Sequence, residues 1–250
     1  MEQLREILDI GDELNLYLVV NGLKPATMIS LSSLNPSLNT RVTKSEELRE
    51  KVRHVTLRVN FDVVDDLKKY LNGSEAKYKD WEQENISESW DSQGNKTMHQ
   101  TCYDHMFYVS SNKKGLERLL SAKSDREIGL ALGFPIESVE AYQKVINGER
   151  REGSYIPVSL ARAKQAGIEL PTWLAYICFV PENLDLVNGN VSLSSKQLAE
   201  TYQNFVRENN PDLAKRVEQH FLDRKLPDSW EKRPDGGYSC CYKFQPSPDK

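Results

Sequence analysis

The stretch His54-Val55-Thr56-Leu57-Arg58-Val59-Asn60-Phe61, continued by Asp62-Val63-Val64-Asp65-Asp66-Leu67-Lys68-Lys69-Tyr70-Leu71-Asn72-Gly73, changes its hydrophobic period once. Val55, Leu57, Val59 and Phe61 alternate with Thr56, Arg58 and Asn60, the pattern of a half-buried strand. Val63, Val64, Leu67, Tyr70 and Leu71 then recur at helical spacing, with Asp62 available as a cap and Asn72-Gly73 as a stop. No unit of fixed period recurs along the chain, so a repeat architecture is not expected. The expectation is an α+β fold, a small mixed sheet with a predominantly helical middle and C-terminal half.

Working outward, Leu4, Ile7, Leu8, Gly11, Leu14 and Leu18 sit at helical spacing and Asn21-Gly22 supplies a stop. Glu46 to Arg53 reads as a polar helix. Residues 74–101 are very polar and keep few large apolar side chains, notably Tyr78, Trp81, Ile86 and Trp90. With Gln93-Gly94-Asn95 as a turn signal, they read as a surface excursion, a loose hairpin. Tyr103 to Ser110 returns as a strand. Gly115 to Ala122, Asp125 to Leu132 and Glu137 to Asn147 read as three short helices.

The charged stretch 149–153 is the boundary of choice. It separates an α+β region, 1–153, from a helix-rich region, 154–244, packed with it as one unit; 245–250 is a frayed tail. In the second half, Val158 to Ala166 reads as a helix capped by Gly167, and Leu174 to Val180 as a buried strand. Ser194 and Gln197 have the spacing of a capping box before a helix carrying Leu198, Tyr202, Phe205 and Val206. Pro211 fits the first turn of another helix, with Leu213, Val217 and Phe221 on one face. Asp235-Gly236-Gly237 joins two short segments as a hairpin.

The 250 residues carry a net charge of -4, with 38% hydrophobic and 28% charged residues. Mean hydropathy is -0.62 and the isoelectric point about 5.7. This is neither a disordered chain nor a basic nucleic-acid coat protein. The opening Met1-Glu2-Gln3-Leu4-Arg5-Glu6 lacks a basic region followed by an apolar one, so no secretory signal is expected. The longest apolar runs, Leu16 to Val20 and Leu174 to Val180, fall far short of the roughly 18 residues that span a bilayer. Cys102, Cys178, Cys240 and Cys241 do not form a disulfide framework. A cytoplasmic protein without a membrane partner is expected.

Two constellations carry chemistry. Met98-His99-Gln100-Thr101-Cys102-Tyr103-Asp104-His105 concentrates imidazole and thiolate, ligands that suit zinc or iron. Three ligands, His99, Cys102 and His105, would leave a position open for an activated water and hydrolase-like chemistry. In a helix or tight turn the step of three keeps them on one side; in a strand Cys102 points away from both histidines. Asp104, His220 or Cys240 could supply a fourth ligand.

The second constellation is Ser124 to Asn147, which has the short helix, turn glycine and second helix of a helix-turn-helix. Its exposed positions, Glu137, Ser138, Glu140, Gln143 and Lys144, put two carboxylates where DNA would be read, so a nucleic-acid partner is not expected. No phosphate-cradling glycine loop, dinucleotide fingerprint or nucleophile elbow occurs.

Leu132-Gly133-Phe134-Pro135 followed by Ser138-Val139-Glu140-Ala141-Tyr142 resembles a box of domain-of-unknown-function family 483, an uncharacterised prokaryotic, mainly archaeal family. Tyr176 to Pro181 and Asn21 to Ala26 are similar to further short motifs of that family. Where the family often has cysteine after its proline box, this chain has Ile136, Glu137 and Ser138, so no thiol or metal role transfers. The resemblance implies no activity. Together these readings lead to a non-catalytic binding or protein-interaction protein, with a metal-dependent enzyme at His99, Cys102 and His105 as the alternative and nucleic-acid binding at 124–147 as the third.

Overall fold

A computed structural model describes residues 4–35, 38–46, 53–144, 193–223, 226–232 and 238–241, together with Ala161, Lys164, Gln165, Gly167 and Trp173. The fold is α+β, as the sequence led us to expect. The chain divides into two compact units, Met1–Ser121 and Ala122–Lys250.

In the first unit, α1 (Ile10–Val20) starts where extended Asp9 accepts a hydrogen bond from the Asp12 N–H at 2.8 Å. That cap satisfies an amide the helix start would otherwise leave unpaired. The helix therefore begins later than Leu4; Leu4 and Leu8 are buried in the turn before it. Gly22 closes it with a φ of 75°, a conformation that a Cβ would strain.

β1 (Ala26–Leu31) follows, then β2 (Asn39–Glu46) and β3 (Arg53–Val59), which pair antiparallel with Glu46 opposite Arg53. The polar helix expected from Glu46 to Arg53 is thus corrected. Its two ends, Glu46 and Arg53, are strand residues of one ladder; residues 47–52 lie outside the described residues. Asn60 caps α2 (Phe61–Asn72), its side chain accepting from the Asp62 N–H at 2.9 Å. Because Asn60 rather than Asp62 takes the cap, Phe61 is already helical and exposed instead of ending the strand.

β5 (Lys96–Ser110) is the centre of a five-stranded mixed sheet. β4 (Lys77–Trp90) runs antiparallel along one of its edges. On the other edge β3 lies parallel beside residues 98–103, and β1 antiparallel beside residues 105–110. One sheet face presents Ile29, Leu31, Phe107 and Val109 to Leu16 and Val19 of α1 and to Val64, Leu67 and Leu71 of α2. Each such side chain contributes about 1.5–3 kcal/mol by leaving water. α3 (Lys113–Ser121) ends the unit, with Asn112 Oδ1 accepting from the Gly115 N–H at 2.8 Å.

The second unit opens with α4 (Asp125–Ala131) and α5 (Ile136–Lys144). α3, α4 and α5 lie where the three short helices were expected, apart from the end of the third, which falls outside the described residues. Of the helix expected at 158–166, Ala161, Lys164 and Gln165 are helical, and Gly167 follows at a φ of 67°. α6 (Leu193–Asn209) starts one residue before Ser194, which therefore sits in the first turn rather than at the cap. α7 (Pro211–Leu222) is capped by Asn210, with proline in its first turn as expected. Ala199, Tyr202 and Val206 of α6 and Leu213, Ala214 and Val217 of α7 are buried. Glu218 accepts from Arg207 Nε at 2.9 Å and Gln203 Nε2 at 3.2 Å.

β6 (Ser229–Lys232) and β7 (Tyr238–Cys241) form a small antiparallel hairpin. Its turn, the 149–153 boundary, the strand expected at 174–180 and the tail lie outside the described residues. Among the described residues no helix is long and apolar enough to cross a membrane.

Candidate functional site

β4 and β5, 14 and 15 residues long, form the longest hairpin among the described residues. Its turn is built by Asp91, whose Oδ1 accepts from the N–H groups of Gln93 at 2.9 Å and Asn95 at 2.8 Å. The bonds from Asn95, then those from Gln93 and Gly94, hold the Asp91 carboxyl below the usual carboxylate range. Gly94 takes a φ of 79° to close the turn.

The surface excursion expected at 74–101 is therefore a regular two-stranded ladder. The alternation of β4 puts Asp80, Glu82, Glu84, Ile86, Glu88 and Trp90 on one face, and Lys79, Trp81, Gln83, Asn85, Ser87 and Ser89 on the other. The register sets Glu82 opposite His105, Glu84 opposite Tyr103 and Glu88 opposite His99. Directly opposed residues share a face, so the acids of β4 meet the histidines and the tyrosine of β5.

This register also decides the metal hypothesis. His99, Cys102 and His105 all lie on β5, so the step of three turns Cys102 to the opposite face from both histidines. At a strand rise of about 3.3 Å per residue, the two histidines stand roughly 20 Å apart. Their partners are separate: His99 Nδ1 lies 3.3 Å from Glu88 Oε1, and His105 Nε2 lies 2.7 Å from Asp80 Oδ2. Cys102 is buried and its Sγ accepts from Gln100 Nε2 at 3.1 Å. The expected fourth ligand Asp104 is engaged by the Ser33 N–H at 2.7 Å, by Ser33 Oγ at 2.8 Å and by Asn85 Nδ2 at 2.8 Å. Among the described residues no three His, Cys, Asp or Glu side chains come together as a metal site. The zinc or iron reading at His99, Cys102 and His105 loses the convergence it needs, because the segment is a strand.

The structure instead joins Asp80, His105 and Lys68. Lys68 Nζ of α2 lies 2.7 Å from Asp80 Oδ2, the same oxygen that contacts His105. Partial burial pushes the Asp80 carboxyl up, but Lys68 and His105 outweigh it and hold it below the usual range. The His105 ring packs 5.1 Å from that of Phe107, at the margin of the core. This clasp ties α2 to the hairpin.

Beyond the clasp the face opens to solvent. Arg58 Nη2 donates to Glu82 Oε1 at 3.2 Å, and the Arg58 guanidinium lies 4.3 Å from the centre of the Tyr103 ring. Tyr103 Oη donates to Glu84 Oε1 at 3.3 Å, and the Glu84 carboxylate pushes the phenol up. Lys96 pairs with Glu88 and holds that carboxyl below its usual range, with His99 adding to the effect. Lys96 Nζ also lies 5.7 Å from the Trp90 ring centre. Ile86 and Trp90 on the same face are 60% and 59% exposed.

The helical pair at 124–144 has the shape of the expected motif. Ser124 accepts from the Glu127 N–H at 3.2 Å and caps α4. Gly133 takes a φ of 83° in the turn, and the Phe134 N–H donates to Gly129 O at 3.1 Å. A Cβ on Gly129 would lie 2.9 Å from Val139 Cγ2, so the glycine permits the helices to pack this closely. Ser138, expected on the outer face, is buried against this contact region together with Val139. Glu137 and Glu140 are exposed. An anionic outer face does not favour the phosphate backbone of DNA.

No family model, no curated protein and no solved structure matches the chain.

Sequence reasoning placed a loose hairpin here with its turn at Gln93-Gly94-Asn95, but not the length and register of β4 or the clasp. The available signal was an acid at every second position from Asp80 to Glu84, which is strand period carried by polar side chains.

Proposed function

We propose that the chain is a non-catalytic protein-interaction protein of the cytoplasm that engages a partner through the outer part of its β4–β5 hairpin. The observation that carries this reading is the exposure of Ile86 and Trp90 on one face of the hairpin, with Glu88 between them. Tryptophan is among the residues that dominate interface energies when a partner covers it. Carboxylates, an arginine, a lysine and a tyrosine surround the two side chains and provide a polar rim.

The test compares proteins retained from the source cell's lysate by the full chain and by its Ile86→Lys, Trp90→Lys variant. Loss of a defined set of proteins, with the melting temperature unchanged, supports the interface. Identical sets for both chains sink it. Elemental analysis of the purified chain tests the enzyme alternative. Zinc or iron near one atom per chain that vanishes in His99→Ala and Cys102→Ser would restore that alternative; the expected result is no metal dependent on these residues.

A further inference from the structure

We infer that the open edge of β4 is a docking site for an extended segment of a protein partner that sets a lysine or arginine across from Glu84 and apolar residues across from Ile86 and Trp90. This rests on the interaction reading above and names the chemistry of the partner. Among the described residues β4 pairs only with β5, so its other edge presents unpaired backbone N–H and C=O groups. Such an edge accepts an added strand, with main-chain bonds giving affinity and alternate side chains giving selectivity.

The side chains that an added strand would meet on one face are Glu82, Glu84, Ile86, Glu88 and Trp90. Arg58 pairs with Glu82 and Lys96 pairs with Glu88, both at part-exposed sites. Among the described residues Glu84 has only the neutral Tyr103 hydroxyl as its hydrogen-bond partner. One anion on this row is thus left without a cation, directly beside the open edge. A lysine or arginine on the incoming strand would lie about 5 Å across from it, where opposite charges stabilise a strand pair. Apolar residues one alternate step further along would cover Ile86 and Trp90. The opposite face offers Gln83, Asn85, Ser87 and Ser89, which accept any polar side chain.

The same row rules out a second copy of the chain as the occupant. A two-fold antiparallel pairing of β4 with itself that overlaps most of the strand always sets carboxylate against carboxylate. Depending on register the opposed pair is Asp80 with Glu82, Asp80 with Glu84, Glu82 with Glu84, Asp80 with Glu88, Glu82 with Glu88 or Glu84 with Glu88. Like charges directly opposed destabilise a sheet pair. The acids that stop self-association therefore select for a cationic strand, since rejection and acceptance are read by one set of charges.

The test uses the full chain and two synthetic peptides of about ten residues, the reach of the exposed part of β4. One places valine across from Ile86 and Trp90, lysine across from Glu84 and serine or threonine elsewhere; the other carries glutamate in place of that lysine. Backbone amide hydrogen exchange of the chain is followed by NMR with each. The lysine peptide is expected to slow exchange at alternate β4 amides between residues 82 and 90 by roughly tenfold or more, and the glutamate peptide to leave them unchanged. Glu84→Lys is expected to weaken binding of the lysine peptide by about tenfold, and Glu84→Gln by less, in line with a close charge pair. Unchanged β4 exchange, protection located elsewhere, or equal effects of both peptides would overturn the proposal. If lysate proteins still depend on Ile86 and Trp90 while the lysine peptide leaves β4 untouched, the interaction reading stands and this one falls.

Discussion

Gly115 lies in the first turn of α3, where a Cβ would come within 2.3 Å of Ser110 Oγ. Ser110 is fully buried and its Oγ donates to Pro25 O at 2.8 Å, so the hydroxyl cannot swing aside without losing that bond. Gly115→Ala is expected to destabilise the fold by roughly 1–3 kcal/mol through overpacking, more than alanine's helix preference of about 1 kcal/mol returns. Urea unfolding measures it, and Ser110→Ala in the same background should recover part of the loss. Full stability of the single variant would show that the contact relaxes freely. Asp12 makes a second prediction at this scale. Burial first, then the Asp9 carboxylate, push its carboxyl from the ordinary 3.8 up to about 7, against a smaller pull from Lys24. An acid with a raised pKa leaves stability intact below its unfolded value and erodes it as pH rises through the folded value. Asp12→Asn should therefore gain on the natural chain as pH rises from about 4 to about 8, by at most about 4 kcal/mol at 1.4 kcal/mol per pH unit. Parallel stability curves for the two proteins across that range would refute the assignment.

At the scale of elements, the Lys68–Asp80–His105 clasp holds α2 against the hairpin. The Asp80 carboxyl is depressed, so its contribution is present above the ordinary value of 3.8 and is lost as pH falls through the lower folded value. Asp80→Asn should cost roughly 1–3 kcal/mol near neutral pH, the range for hydrogen bonds to a charged group, and the deficit should shrink on acidification below pH of about 4. Thermal melts at neutral and acid pH give the comparison, and a deficit that stays constant would deny Asp80 this role. The elements differ in how far the sequence revealed them. α4, α5 and α7 were legible because their signals are local: Ser124 and Gly133 in one case, Pro211 in the other. For β4 the turn at Gln93-Gly94-Asn95 was legible but the strand's length and register were not, since its alternation runs in acids and amides and its stability comes from a partner strand whose register no local pattern encodes. The segment Tyr103 to Ser110 read correctly as strand, and that reading already implied that Cys102 faces away from His99 and His105. What remained hidden was where each histidine finds its acid, because Asp80 and Glu88 reach them across the ladder.

For the whole molecule, the decisive feature is that the first unit holds an apolar core cluster of its own. Every described member of the cluster that runs from Leu4 to Val109 belongs to residues 1–121. All five strands of the sheet and both helices that cover it among the described residues precede Ser121. A chain of about 120 residues is long enough to bury such a core without disulfides or metal. A fragment of residues 1–121 is therefore expected to fold by itself, with a single cooperative urea transition and a slope of about 1–3 kcal/mol per molar urea. Circular dichroism and tryptophan emission from Trp81 and Trp90 should report coincident midpoints, because two probes of one cooperative unit must agree. The fragment should also keep the Asp80 acid dependence, since Lys68, Asp80 and His105 all lie within it. A broad, non-cooperative transition, or separated midpoints for the two probes, would mean that the first unit takes part of its stability from residues beyond 121.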